Sequence, residues 1–588
     1  MPTVRIPLVG TYNQRGLDGD AALTALEDQR FLNCTFEVVT NPITGKSTVY
    51  VNKRPGWGTD SLVDSGQAST GLIQPQSFNA ILSAFRETNS IVYFGTTSVG
   101  TITGRALHFT ETLISGVGCV AIKSSDGTGW YYMDGAKDDL TYVGDTHNGT
   151  AVIDSLDNTT GVYVGQAWSG TGVGASARVL SVDSATQITL NVNSTADGTD
   201  ITFTKTPIAK IIDSDFATST TFQSAFAAMD GYLFYATDNG YVNNSDLNSV
   251  SAYTANARIA DQQAPDPTIA VAVQKNYIVS FGINSNAKFQ NAGFSSGSPL
   301  QVLKQYVEHI GAIDQRSIDY LEDDIYYVSS PSSGDVGAYR MRGLQSTRIS
   351  TSIVDKILGT ASVSGSVYTT CFRLGGHQYA AFTVSMAQDG PASALLLESG
   401  DFLLLETTPG GNLLLEDNAA QSASFVRMLV YNATLNIWSE WDCNQCTFIE
   451  TLGTGTANKL IATSRVNTSG KVYKIDPVAD GQLYQDDGSA FTMQIRTAKL
   501  DFGTSKRKFV QRIRLICDKQ SSGTVTLEAS DDDYDSWFTL GTFDLTVMKP
   551  QIVRCGSYKG ARAYRLSNSD NIPFRGEAIE IDYEIAAV

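Results

Sequence analysis

The 588-residue chain is 42% hydrophobic and 10% aromatic, with 52 Gly and 26 Tyr but only 17% charged residues; this composition excludes a disordered chain and suits short strands joined by turns. Its 42 Lys and Arg against 60 Asp and Glu leave a net charge of -18, which argues against a protein that grips nucleic acid by neutralising phosphates. Seven irregularly spaced cysteines make no disulfide framework, Met1 to Gly10 lacks the apolar run of a signal peptide, and no stretch is apolar for the length of a membrane span, so free thiols and no membrane span are expected.

Residues 1–35 are expected to form an N-terminal arm with one short helix, because Asp20 can cap a segment in which Leu23, Leu26 and Phe31 share a face. From 36 to 140 the pattern turns to strand and turn: VYVNKRPGW, FNAILSAF, SIVYFGTT, CVAIKSS and GWYYMDG are separated by Gly, Ser, Thr and Asp clusters. This is the first part of an expected β-propeller-like ring. Residues 141–206 contain no glutamate and alternate Thr, Ser, Gly and Val, and predict an inserted small β-domain. The ring resumes over 207–484, where FAAMDGYLFYATDNGYVNN supplies Asp-Gly and Asn-Gly hairpin turns. Blades of about 40 to 50 residues allow six to eight in all.

Within that second part, NYIVSFG (Asn276 to Gly282), IDYLEDDIYYVSS (Ile318 to Ser330), GAYRMRG (Gly337 to Gly343) and TRISTSIV (Thr347 to Val354) read as strands with one buried face, about a blade and a half. LLLE recurs at Leu395, Leu403 and Leu413, predicting a projecting hairpin over about 392–420 whose apolar rungs, Leu403 and Leu413 among them, need a covering subunit. Residues 485–588 hold seven strand candidates and read as an independent C-terminal β-sandwich. The acidity lies outside it: residues 1–484 hold 28 basic and 45 acidic side chains, against 14 and 15 in the remainder.

The chemical motifs all have plain structural readings. GFSSG (Gly293 to Gly297) has the spacing of a nucleophile elbow but sits in a Ser/Gly loop, and GVGCVA and GTGVGA precede strands rather than the helix a dinucleotide needs. Cys443 and Cys446 form a lone C-x-x-C, and His108, His147, His309 and His377 are scattered. In SDDDYDSW, Asp531, Asp533 and Asp535 begin like a calcium loop without its later ligands, so a turn is the expectation and an ion site the alternative. Strand alternation in KRKFVQRIR places Lys506, Lys508, Arg512 and Arg514 on one face and Phe509, Ile513 and Leu515 inward. Arg512 and Arg514 are candidate contacts to an acidic adaptor. No catalytic, cofactor or metal site is expected.

Four of these segments, taken in order with QRFLNCTFEVV, NPITGKSTVYVNKRPGW, MLVYNATLNIWSEWD and GKVYKIDP, resemble the tail hub or nozzle proteins of short-tailed bacteriophages, also called tail accessory or packaged-DNA stabilisation proteins. The resemblance implies a non-enzymatic virion component assembled in the host cytoplasm. It further implies a homo-oligomer, a hexamer, that meets a head-to-tail adaptor ring and tail fibre, spike or needle proteins, and lets genomic DNA pass through its lumen without tight binding. The alternatives are a carbohydrate-binding or glycan-degrading tail propeller for host recognition, and a free-standing scaffold.

Overall fold

A computed structural model describes residues 3–586 except 10–28, 41, 43–44, 64–68, 79–82, 219–223, 238, 262–265, 331–335, 360–366, 387–424, 443–445, 453–458, 464–470 and 476–482. The arm helix near Asp20, the LLLE hairpin with Leu403 and Leu413, and Cys443 lie outside the described residues. The chain is all-β, and none of its described helices is long and apolar enough to cross a membrane.

Seven four-stranded blades follow one another among the described residues, two of which, blades 2 and 6, continue into nine-stranded sheets. Blade 1 is Ser69–Ile73, Phe85–Thr88, Ile91–Phe94 and Thr97–Thr101. Blade 2 is Ala106–Ile114, Val117–Ser124, Gly129–Met133 and the end of Gly198–Lys210. Blades 3, 4 and 5 are consecutive meanders that begin at the strands Ala227–Met229, Thr268–Gln274 and Ile318–Leu321. Blade 6 runs from Val367–Leu374 to Ile437–Trp441. Blade 7 takes Phe448–Leu452, Lys459–Thr463 and Lys471–Ile475 from late in the chain, and its outer strand, Gly58–Val63, from near the start. The first strand of each blade packs on that of the next, except that Thr268–Gln274 of blade 4 packs on the second strand of blade 5 and on the short helical turn Gln315–Ser317 before it; blade 7 packs on blade 1, so the ring is closed.

An apolar cluster fills every seam between neighbouring blades. The middle strands are therefore buried on both faces, not one. Along NYIVSFG, Ile278 packs toward blade 3 while Val279 and Phe281 pack toward blade 5, and Asp324–Ser329 is buried throughout. Asn276 to Val354 covers three strands of blade 4 and all of blade 5, more than a blade and a half, and TRISTSIV is not a strand throughout. Its strand ends at Arg348, and the helix Ser352–Gly359 follows, laying Val354 and Leu358 over the seam between blades 5 and 6.

Between the third and fourth strands of blade 2, the strands Thr141–Thr146, Val152–Asp154, Gln166–Ser169, Val179–Ser184 and Gln187–Leu190 form a small domain with the first half of Gly198–Lys210. It has its own core, in which Tyr142 stacks on Trp168 at 5.2 Å. Its two ends meet where the Lys205 amide donates to the Leu140 carbonyl at 3.0 Å.

The C-terminal sandwich is not independent of the N-terminus. The strand Cys34–Thr40 pairs with Ser47–Lys53, that strand pairs with Arg575–Ile585, and Thr3–Pro7 lies along Arg575–Ile585 over five paired residues. Residues 36–53, read from sequence as the first ring strands, thus complete the sandwich core with Phe36 and Val51. Local alternation cannot distinguish the two destinations, because both are sheets with buried faces. The short strand Arg30–Leu32 bridges blade 6 and the sandwich, so that one sheet runs through both.

Candidate functional site

The innermost strands of the blades surround two adjoining cavities, each of about 230 Å³, that share His108, Glu111, Ile318, Asp319 and Tyr320. Polar side chains on these strands stitch blade to blade. The Thr110 hydroxyl donates to the Phe226 carbonyl at 2.6 Å, Thr369 to Ser317 at 2.7 Å and Thr370 to Ile449 at 2.8 Å. The Gln315 side-chain oxygen accepts from the amides of Ala225 at 2.9 Å and Val271 at 3.1 Å, tying three blades together.

Three carboxyl groups from blades 2, 5 and 7 line this axis: Glu111, Asp319 and Glu450. Glu111 accepts from the backbone and hydroxyl of Ser77 at 2.5 Å. Asp319 accepts from the Cys371 amide at 2.7 Å and from the Tyr320 amide at 2.8 Å. Burial outweighs these bonds and pushes Asp319 up to about 7. Burial, followed by the nearby Asp319 charge, pushes Glu450 up to about 8. Burial also lowers His108 to about 4, leaving it neutral. At neutral pH the axis therefore carries less negative charge than its residue count suggests. Sequence reasoning missed these acids, although a trace was present: Phe109–Leu113 reads FTETL and Phe448–Leu452 reads FIETL, the same pattern on two innermost strands.

The paired arginines of GAYRMRG converge on one acid. Arg340 Nε reaches Asp324 at 2.8 Å, and Arg342 grips both oxygens of the same carboxylate at 2.8 and 2.7 Å, across the hairpin of blade 5. In NKRPGW, Arg54 is fully buried and bonds Asp486 through both terminal nitrogens, Asn33 through Nε at 2.9 Å and the Asp442 carbonyl at 3.2 Å. It also lies 3.9 Å from the Phe491 ring centroid. Beside it, Gly56 has no space for a side chain, because a Cβ there would come within 2.1 Å of the Gln485 carbonyl oxygen. These residues lock the sandwich onto the ring.

The basic strand differs from its expected facing. Arg507–Cys517 carries a bulge between Val510 and Arg512, which reverses the alternation. Lys508 points inward and is fully buried, donating to the carbonyls of Lys506 at 3.2 Å and Gly560 at 2.7 Å, while Phe509 is turned out to solvent. Arg512 and Arg514 face outward, and both reach Asp582, Arg512 at 2.5 Å and Arg514 at 3.3 Å. Hydrogen bonds from Thr3 and then Arg512 hold the Asp582 carboxyl below its usual range.

In SDDDYDSW, Asp531 binds Arg562 through two contacts at 2.6 and 2.7 Å, and Asp533 pairs with Lys499. Asp532 accepts from Ser530 and Ser536 of the same turn. GFSSG is an exposed loop between the last two strands of blade 4, GVGCVA has only Gly116 in a hairpin turn and continues as the second strand of blade 2, and Cys446 is buried between blades 6 and 7.

Residues 94–379 match the phage-stabilisation family described as the bacteriophage P22 Gp10 beta-propeller. No curated protein matches the chain significantly. Similar solved structures include a computationally designed protein, Ika8 (9% identity, 72% of this chain and 100% of that one, TM-score 0.31), and Raptor of Chaetomium thermophilum (10%, 72% and 29%, TM-score 0.35). The endosialidase of phage phi92 is similar over 91% of this chain and 73% of its own, at 10% identity and a TM-score of 0.24. These overlaps are too loose to support an inference of function.

Proposed function

We propose, since residues 94–379 match the phage-stabilisation family described as the bacteriophage P22 Gp10 beta-propeller, that this protein is a phage tail structural component and forms the nozzle or hub below the portal and adaptor. Several copies, six by the family resemblance, surround a conduit that retains the genome and later passes it. The observation that carries this reading is the closed ring whose inner strands meet across its axis. The first strand of blade 2 lies against the turn that opens blade 5, so inner strands meet across the axis and leave no bore for a DNA duplex within one propeller. The DNA path therefore runs between copies, and each propeller acts as a rigid block in its wall.

Charge supports the same reading. Duplex DNA carries one negative charge per about 1.7 Å, and screening extends only about 8 Å in physiological salt, so a wall with surplus carboxylates repels the passing genome. Head-to-tail adaptor proteins above, and fibre, spike or needle proteins at the outer end, are the partners this placement calls for.

Incubation with the adaptor ring, followed by sedimentation, tests the proposal. Co-sedimentation with no release of sugar from host-surface polysaccharide is expected. Glycan cleavage without adaptor capture would favour a receptor-degrading propeller, in which Asp319 and Glu450 are the first acids to substitute.

A further inference from the structure

Among the described residues, two of the strands that end a sheet carry exposed apolar side chains and opposite charge. The first belongs to the inserted domain. Its strand Val179–Ser184 ends the sheet beyond Gln187–Leu190 and presents Leu180 and Val182, 50% and 40% exposed, beside Asp183. Residues 141–206 hold six aspartates. Among the described residues, none of these aspartates forms an ion pair with Lys or Arg, and Asp154 meets His147. The domain's two basic residues are turned toward its base: Arg178 binds the Gly165 carbonyl over Trp130, and Lys205 binds the Gly161 carbonyl over Tyr142.

The second edge belongs to the sandwich. The strand Gln551–Val553 pairs only with Arg507–Cys517 and closes that sheet, leaving Val553 57% exposed and Met548, just before it, 75% exposed. Lys549 and Arg554 flank the strand, and Arg507 and Lys559 face each other farther along. None of these four has a carboxylate at ion-pair distance among the described residues.

We propose that the inserted domain of one copy docks through Leu180, Val182 and Asp183 onto the Val553 edge of the sandwich of a neighbouring copy. Each edge exposes apolar side chains on a strand that ends its sheet, the features through which sheets join. Charge selects the pairing. Insert against insert sets aspartates against aspartates, and sandwich against sandwich sets Lys549 and Arg554 against their own copies; only the crosswise pairing is attractive. The contact is therefore heterologous, the head-to-tail kind from which rings with more than two members close. It rests on the multi-copy reading above and adds the surface that builds the ring.

The test uses the full chain with two charge-reversed variants, K549E/R554E and L180K/D183K. All the substituted side chains are on the surface, and unchanged thermal melts verify folding. Each variant alone should weaken self-association at least about tenfold, as measured by sedimentation. An equimolar mixture of the two should restore it, because each altered edge then finds a complementary partner. Undiminished oligomers from both variants would overturn the contact and leave the multi-copy reading standing. A wild-type chain that stays monomeric at every concentration and on the adaptor would overturn both.

Discussion

At the residue scale, the buried ionic and acidic groups are where substitution is most informative. Arg54 is buried at the junction of ring and sandwich with its carboxylate partner Asp486, and removing one partner of such a pair leaves the other charge stranded. Arg54→Ala should cost about 3–5 kcal/mol by denaturant unfolding. Arg342→Ala, at a site where the arginine side chain is 67% exposed and Arg340 keeps hold of Asp324, should cost under about 1 kcal/mol. Equal costs would show that Arg54 does not clamp the two bodies. The axial acids give a pH signature. Asp319 keeps its proton to about 7 in the fold, whereas an unfolded aspartate releases it near pH ~3.9. Its contribution is thus fully present below pH ~3.9 and is lost as the pH rises through about 7; Glu450 behaves likewise up to about 8. Asp319→Asn should flatten the fall in melting temperature across that window, and a profile parallel to the wild type would refute the assignment. These acids were nearly invisible in the sequence because each is a single carboxyl in an otherwise ordinary strand. Only their convergence from blades 2, 5 and 7 makes them a group.

At the element scale, the strands were legible and their partners were not. Alternation in NYIVSFG and YRMRG marks sheet wherever it occurs, but a two-residue period is the same in a blade and in a sandwich. The assignment of residues 36–53 failed on this point. Their partner Arg575–Ile585 lies more than five hundred positions away, as Val51 opposite Gly576 shows. The closing strand Gly58–Val63 was also beyond local reading, because its partner begins at Lys471. In KRKFVQRIR, one bulge reversed Lys508 and Phe509 while leaving Ile513 and Leu515 inward, as the pattern required. The sandwich gives a direct test. A fragment of residues 485–588 lacks Thr3–Pro7 and Cys34–Lys53, which cover one side of its core, and should show no cooperative melt. The same fragment joined to residues 1–57 should regain one. Cooperative unfolding of the short fragment alone would contradict the shared core.

At the scale of the whole molecule, the ring and the sandwich are one mechanical unit. A single sheet runs from blade 6 through Arg30–Leu32 into the sandwich, and the N-terminal segment contributes to both bodies. A closed ring with an apolar cluster in every seam resists opening. In the proposed conduit, the surplus of acid over base in residues 1–484 would make the wall repel DNA, while the near balance of 485–588 would leave Lys549 and Arg554 for an acidic neighbour. Electron microscopy of the protein assembled on its adaptor ring tests the central claim most directly. The account predicts a rotationally symmetric ring of several copies in top view, with a wide opening between copies and each propeller closed along its own axis. A single copy on the adaptor, or DNA density threading the axis of an individual propeller, would contradict it.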